Sequence, residues 1–419
     1  MDNKVVVIGQ GYVGLPLALE ATLAGLTVTG LDLNRGTVDG LNSGKSHVDD
    51  VSDGDIERML EAGYKAATDP SVISGADTVV ICVPTPLGEA SKPDLSAVIG
   101  ATKSIARYMM PGTLVVLEST TYPGTTDDLI RPLLETDGLL VDRDFHLAFS
   151  PERIDPGNPT YGLKNTPKVV GGVTPASTAR ALEFYQSVVD VVVPVRGARE
   201  AETAKLLENT YRHINIALVN EMSRFCHELG IDLWDVIDAA STKPFGFQAF
   251  YPGPGVGGHC IPIDPNYLSY EVKRKLGVPF RFVELAEEVN GAMPKYVVER
   301  LQDALNDQSK AMKGATVLLL GVTYKKNIAD QRESPAIPVG ELLKAKGATI
   351  SFHDPKIQTW KLGNAEYERE SELEQAVMDA DAVILLQNHE SYDVDALASK
   401  ASLFFDTRGA TKSEKAIRL

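Results

Sequence analysis

Cysteine is scarce: 419 residues carry three, Cys82, Cys226 and Cys260. They are too far apart for a zinc-ligand spacing or a disulfide framework, so no metal site is expected and a reducing compartment is. Basic charge is also in deficit, with 41 Lys and Arg against 57 Asp and Glu, a net charge of −16. No basic tract offsets that balance, which excludes a general nucleic-acid binder but leaves room for local cationic clusters around a small anion. No apolar run approaches the roughly 20 residues that span a bilayer. The N-terminus runs directly into Val5-Val6-Val7-Ile8-Gly9 without the basic region and apolar core of a signal peptide. A cytoplasmic protein without membrane contact is expected. Hydrophobic residues at 43% and charged residues at 23% are ordinary for a globular enzyme, and the length calls for two or three domains.

Glycine, by contrast, is concentrated where it matters. Gly253-Pro254-Gly255-Val256-Gly257-Gly258-His259-Cys260-Ile261-Pro262-Ile263-Asp264-Pro265 cannot be a helix interior or a central strand. Such a loop lets backbone approach a ligand and presents Cys260 as a nucleophile, with Asp264 four positions on. The alternative is a buried, inert thiol in a tight turn.

At the N-terminus, the β-branched run Lys4 to Ile8 reads as a buried parallel strand. Gly9-Gln10-Gly11-Tyr12-Val13-Gly14 follows, and Leu15 to Ala24 continues with helical character. Strand, GxGxxG and helix together are a dinucleotide fingerprint, with the helix N-terminus facing the phosphates. A second strand, Leu26 to Leu31, ends at Asp32. A carboxylate there accepts from ribose hydroxyls and repels a 2′-phosphate, which favours NAD over NADP, a preference that Arg35 nearby would soften.

Further strands are expected at Asp77 to Val83, Gly112 to Glu118 and around His146 to Phe149. The first two end in loops carrying Thr85 and Thr120, which are either ligand contacts or plain strand-terminal turns. The third leads into Ser150-Pro151-Glu152-Arg153, where Glu152 is an acid/base candidate or a surface carboxylate. Arg199 to Leu229 contains neither Pro nor Gly and reads as one long helix, with Leu206, Leu207, Ile214, Leu218 and Met222 as its apolar positions. Lys205, Asn209 and Arg212 share one face of it, suited to an anionic or sugar-like ligand or simply solvated. Further helix is expected from Val278 to Ala311. In the last third, Ala315 to Leu320, a helix at 337–346, Thr349 to His353 ending at Asp354, and Ala382 to Leu386 echo the N-terminal order. That echo predicts a second nucleotide-type sheet, with Tyr324, Lys325 and Arg332 as phosphate donors.

The motifs GQGYVGLPLA, VPTP, ESTTYPGTT, SPER, AETAKLLENTYRHINIALVNE, GGHCIPIDP and DQRESP, in this order, resemble the UDP-sugar 6-dehydrogenase family. The resemblance covers nearly the whole chain. It implies an α/β fold of two Rossmann-like doubly wound domains joined by a long central helix and a helical dimerisation region. The implied divisions are an NAD-binding domain at 1–198, a central domain with the cysteine loop at 199–311, and a UDP-binding domain at 312–419.

The implied activity is a four-electron, NAD-dependent oxidation of a UDP-sugar C6 hydroxyl to the uronate, through an aldehyde and a thioester on Cys260. By resemblance, Lys205, Asn209, Asp264, Glu152 and Thr120 assist Cys260. Gly9, Gly11, Tyr12, Val13, Gly14, Asp32, Arg35, Thr85, Thr120 and Arg332 contact NAD. Arg153, Ile154, Lys205, Asn209, Arg212, Phe250, Tyr251, Gly255, Tyr324 and Lys325 contact the UDP-sugar. The stretch Ser241 to Pro265 is most similar to the branch acting on UDP-N-acetylglucosamine, with UDP-N-acetylmannosamine and UDP-glucose as alternatives. A homodimer is implied. A 3-hydroxyacid or 6-phosphogluconate type of dehydrogenase would share the first half and the Lys and Asn of the helix, but neither Cys260 nor the second nucleotide unit. A nucleotide-sugar binder without turnover is a third reading.

Overall fold

Parallel strands buried on both faces read as continuous apolar runs, and two such sets organise this chain. The computed structural model describes residues 4–86, 88, 93–155, 158, 160–258 and 261–419. The chain divides into two compact units, Met1–Glu208 with Asn266–Val278, and Asn209–Pro265 with Pro279–Leu419.

The first unit is built on eight strands: β1 (Lys4–Ile8), β2 (Thr27–Leu31), β3 (Lys65–Ala67), β4 (Thr78–Ile81), β5 (Thr113–Leu117), β6 (Phe145–Phe149), β7 (Lys168–Gly172) and β8 (Val192–Pro194). Their order is β3-β2-β1-β4-β5-β6-β7-β8. All pairs are parallel except β6 with β7. Strand order reverses beside β1, so β1 and β4 form the topological switch point of a doubly wound sheet, the place where such sheets bind ligands. Val5, Val7, Val80, Leu114 and Val116 pack beneath Leu15, Leu17 and Ala18 of the Gly14–Leu23 helix. Each such buried aliphatic contributes about 1.5–3 kcal/mol.

The second unit carries β9 (Thr316–Leu320), β10 (Thr349–His353), a hairpin of β11 (Thr359–Leu362) and β12 (Ala365–Glu368), then β13 (Ala382–Leu385), β14 (Phe404–Asp406) and β15 (Ala416–Arg418). The five-stranded sheet β10-β9-β13-β14-β15 is wholly parallel. Met293, Val297 and Leu301 of the Arg281–Asp307 helix pack with Val317, Leu319, Ile384 and Phe405.

The long helix runs Ala198–Glu228. Of its expected apolar positions Leu206 is buried and Ile214 and Met222 pack on buried clusters, but Leu207 and Leu218 need correction, being 64% and 54% exposed. The other buried positions are Ala198, Ala201, Ala217, Val219 and Cys226 together with the polar Glu202, Lys205, Thr210, His213, Asn220 and Ser223. Polar side chains occupy the inner stripe, which displaces leucines outward. Among the described residues no helix is long and apolar enough to cross a membrane.

Candidate active site

The turn after β1 shows what each glycine does. Gly9 has φ +90°, and a Cβ there would lie 2.6 Å from the Cys82 carbonyl oxygen. A Cβ on Gly14 would sit 1.8 Å from the Gly9 carbonyl oxygen. Both are therefore demanded by packing, whereas a Cβ on Gly11 would meet nothing within 4 Å. Gly11 thus leaves open room at the point where a pyrophosphate would approach the backbone. The helix starting at Gly14 has no side-chain cap on its first turn, the condition of an anion site.

Asp32 closes this turn from β2. Its Oδ2 accepts from Gln10 N at 2.9 Å and its Oδ1 from Asn34 N at 2.8 Å. The carboxylate is fixed beside the glycines, with a further lone pair on each oxygen for ribose hydroxyls. Gln10 is held in turn by Tyr64, whose hydroxyl donates to its Oε1 at 2.7 Å. Tyr12 and Val13 lie in the turn, and Arg35 opens the Arg35–Asn42 helix on the exposed side. This arrangement fits NAD.

The loops after β4 and β5 are tied together. Thr85 Oγ1 donates to the Thr120 carbonyl at 2.8 Å, and the buried Tyr267 hydroxyl donates to the Thr85 carbonyl. Tyr267 escaped the sequence reading because no local pattern marks a tyrosine for a carbonyl some 180 residues away.

Glu152 and Lys205 meet in the same unit. The buried Lys205 ammonium donates to the Glu152 carbonyl at 2.5 Å, and Glu152 Oε1 accepts from Ile154 N. Arg153 pairs with Glu208 at 2.8 Å and donates to the Pro167 carbonyl at 2.6 Å, while Ile154 packs on the core. Behind Glu152 lies a cluster absent from the sequence reading. Lys168 Nζ is 2.9 Å from Glu118 Oε2, and Tyr185 donates its hydroxyl to Glu118 Oε1, all three being buried. Burial alone would lower the Lys168 pKa, but the charges of Glu118 and Glu152 hold it above its ordinary value.

Glu202 joins two of the motifs. Its carboxylate accepts from Gly124 N at 2.6 Å and from Thr126 N and Oγ1 at 2.9 and 2.7 Å. Burial raises it to about 7 against the opposing pull of those donors.

In the second unit, Asn209 donates its side-chain amide to Asp264, the first residue of the Asp264–Leu276 helix. The glycine loop is anchored at Gly253, whose N–H donates to Asn220 Oδ1 at 2.9 Å. Asn220 Nδ2 in turn donates to Asn290 Oδ1 at 2.9 Å. At Gly257 and Gly258 the loop lies against Tyr324: a Cβ on Gly258, where φ is +90°, would be 2.8 Å from its ring. Gly255 packs on Pro335 and borders a cavity of about 280 Å³ that His213 also lines. Burial lowers His213 to about 4. Phe250 meets Tyr211 edge-on, and Tyr251 stacks on Trp234 with centroids 5.7 Å apart. Arg212 is exposed, the Lys325 carbonyl accepts from Thr323 Oγ1 at 3.0 Å, and Arg332 forms an ion pair with Asp330 at 2.7 Å. Cys260 lies outside the described residues.

The expected echo between the two sheets extends to a hydrogen bond. Asp354 after β10 accepts from Val322 N at 2.8 Å, as Asp32 after β2 accepts from Gln10 N. Asp354 is fully buried and also faces His389 at 3.1 Å, so this carboxylate serves the fold rather than a ribose.

Comparison with known proteins finds three family domains along the chain. Residues 3–189 match the NAD binding domain of the UDP-glucose/GDP-mannose dehydrogenase family, 199–292 its central domain and 318–413 its UDP binding domain. A UDP-N-acetyl-D-mannosamine dehydrogenase of Methanococcus maripaludis is 33% identical over 97% of this chain and 92% of its own. An NDP-N-acetyl-D-galactosaminuronic acid dehydrogenase of Ralstonia solanacearum is 34% identical over 99% and 97%. The solved UDP-D-ManNAc dehydrogenase of Pyrococcus horikoshii superposes with a TM-score of 0.90 at 31% identity, covering 99% of this chain and 98% of that one.

Proposed function

The chain belongs to the UDP-glucose/GDP-mannose dehydrogenase family, NAD-dependent oxidoreductases of nucleotide sugars, and from that premise we propose that it oxidises C6 of a UDP-N-acetylhexosamine to the carboxylate. Relatives whose names carry N-acetylmannosamine and N-acetylgalactosaminuronic acid, matching nearly the full length, are the observation that carries the acetamido sugar. They weigh toward UDP-N-acetyl-D-mannosamine, the C2 epimer of the UDP-N-acetyl-D-glucosamine expected from the substrate loop. The proposed divisions are 1–198 for NAD, 199–311 for the central region and 312–419 for UDP.

NAD, when bound, supplies the hydride acceptor; Gly9, Gly11, Tyr12, Val13, Gly14, Asp32, Arg35, Thr85, Thr120 and Arg332 would hold it. The remaining chemistry belongs to side chains. The Lys205 ammonium stabilises the alkoxide that forms as the C6 hydroxyl loses its proton, with Thr120 beside it. The Cys260 thiolate then adds to the aldehyde carbon, and the thiohemiacetal becomes a thioester on loss of hydride. Asn209, Asp264 and Glu152 place the water that cleaves the carbon–sulfur bond and returns the thiol. Arg153, Ile154, Arg212, Phe250, Tyr251, Gly255, Tyr324 and Lys325 bind the UDP-sugar. The balance is one alcohol, one water and two NAD to one carboxylate, two NADH and three protons.

We further propose a homodimer. Tyr211, Leu218 and Phe225 stand seven residues apart along the long helix with 48%, 54% and 47% exposure, and Phe282 and Leu285 are exposed in the same unit. An apolar stripe of this kind is a contact surface.

The test is NADH absorbance with UDP-N-acetylmannosamine, UDP-N-acetylglucosamine, UDP-N-acetylgalactosamine and UDP-glucose. Two NADH per sugar support the four-electron reading, and the preferred sugar names the substrate. One NADH per sugar removes Cys260 from the chemistry, and none with any sugar despite NAD binding favours a silent binder.

A further inference from the structure

Among the charged groups the proposed mechanism leaves unused, Lys168, at the start of β7, and Glu118, just after β5, are both buried and paired with each other. An ion pair this deep is costly, and an apolar pair of the same volume is often as stable or more so. Its position is therefore informative. Lys168 Nζ donates to the carbonyl of Pro151 at 3.3 Å and stands 4.0 Å from Glu152 Oε2. That oxygen is buried and, among the described residues, has no hydrogen-bond partner, while its companion Oε1 is bound by Ile154 N. A buried carboxylate oxygen without a donor is costly unless a nearby charge compensates it. The Glu152 carbonyl, one bond series away, receives the Lys205 ammonium.

We infer that Lys168 is a positioning residue for the oxidation: its charge faces Glu152 Oε2 and its bond to Pro151 pins the turn that presents Glu152 and seats Lys205. Glu118 and Tyr185 anchor the lysine from the opposite side, and the Tyr185 ring lies 5.4 Å from its ammonium. The titratable groups facing Glu152 are then Lys168 from β7, Glu118 from β5, Cys82 after β4, Tyr185 beyond Glu118, and Lys205 from the long helix. Nothing in this arrangement requires Lys168 to touch substrate. The inference rests on the role proposed for Glu152.

Because Lys168→Met alone would strand Glu118, the pair is removed as a unit in Lys168→Met/Glu118→Gln, and Lys168→Arg keeps the charge. The double variant should bind NAD within about twofold of wild type and lose at least about tenfold in kcat, with KM for the UDP-sugar changed by less than about threefold. Lys168→Arg should retain kcat within about threefold of wild type. Glu152→Gln should lower kcat at least as far as the double variant. A double variant with wild-type kcat overturns the inference, as does a Lys168→Arg variant as slow as the double variant. Full turnover by Glu152→Gln would instead remove the role of Glu152 itself, and the inference with it.

Discussion

Lys205 and Glu152, 53 residues apart in sequence, meet through a single bond: the lysine ammonium donates to the glutamate's backbone carbonyl at 2.5 Å. Among the described residues this buried ammonium makes one short contact, to main chain, which leaves two further protons to give. Those protons suit an oxygen that gains charge during the reaction. Lys205→Ala should therefore lower kcat by about 100-fold or more while NAD affinity stays within about twofold. Equal losses of rate and NAD affinity would mean that the lysine holds the fold of the site rather than the reacting oxygen.

The glycine loop gives a second prediction, made sharp by a control. Gly258 and Gly277 both have positive φ, +90° and +69°, so alanine carries a backbone cost of about 1–2 kcal/mol at either. Only at Gly258 would the new Cβ also press on the Tyr324 ring, at 2.8 Å; at Gly277 it meets nothing within 4 Å. Gly258 stands two residues before Cys260. Gly258→Ala should reduce kcat/KM about 100-fold, the scale of an ångström's misplacement of a reacting group. Gly277→Ala should lose stability alone. Comparable activity in the two variants would show that the Tyr324 contact does not set the loop.

What the sequence disclosed was local, and what it hid was distant. The Gly9 to Asp32 fingerprint is written within one βαβ unit, where each residue's neighbours in space are near in the chain. The second sheet was legible for the same reason, through Leu320-Gly321 and His353-Asp354. Lys168 was not, because its partners lie 50 and 17 residues away and a lysine opening a strand looks solvent-facing. The β7 and β8 strands went unread, and with them the antiparallel β6–β7 pair. The helix starting at Asp264 was also missed, although Asp264-Pro265 carries a start signal in proline's fixed φ. Leu207 and Leu218 of the long helix misled because periodicity finds a stripe but not which side is covered. Leu218, expected inside, is exposed, while polar side chains such as Asn220 and Ser223 fill the interior.

Glu202 supplies a pH dependence with a definite sign. Its folded pKa is raised by burial to about 7 from an ordinary 4.5. Below pH 4.5 folded and unfolded chains both hold the proton, and the contribution to stability is complete. Between 4.5 and about 7 the unfolded chain releases a proton that the folded chain keeps, so stability falls as pH rises. The loss approaches about 3 kcal/mol once the pH exceeds the folded value. Glu202→Gln cannot titrate, and its amide group faces the N–H groups of Gly124 and Thr126 where the carboxylate accepted them. The variant should be less stable at pH 5 but should flatten the decline between pH 5 and 8, read as the difference in urea midpoint from wild type. If the two proteins decline in parallel, the pH sensitivity belongs to another group and Glu202 is ionised throughout.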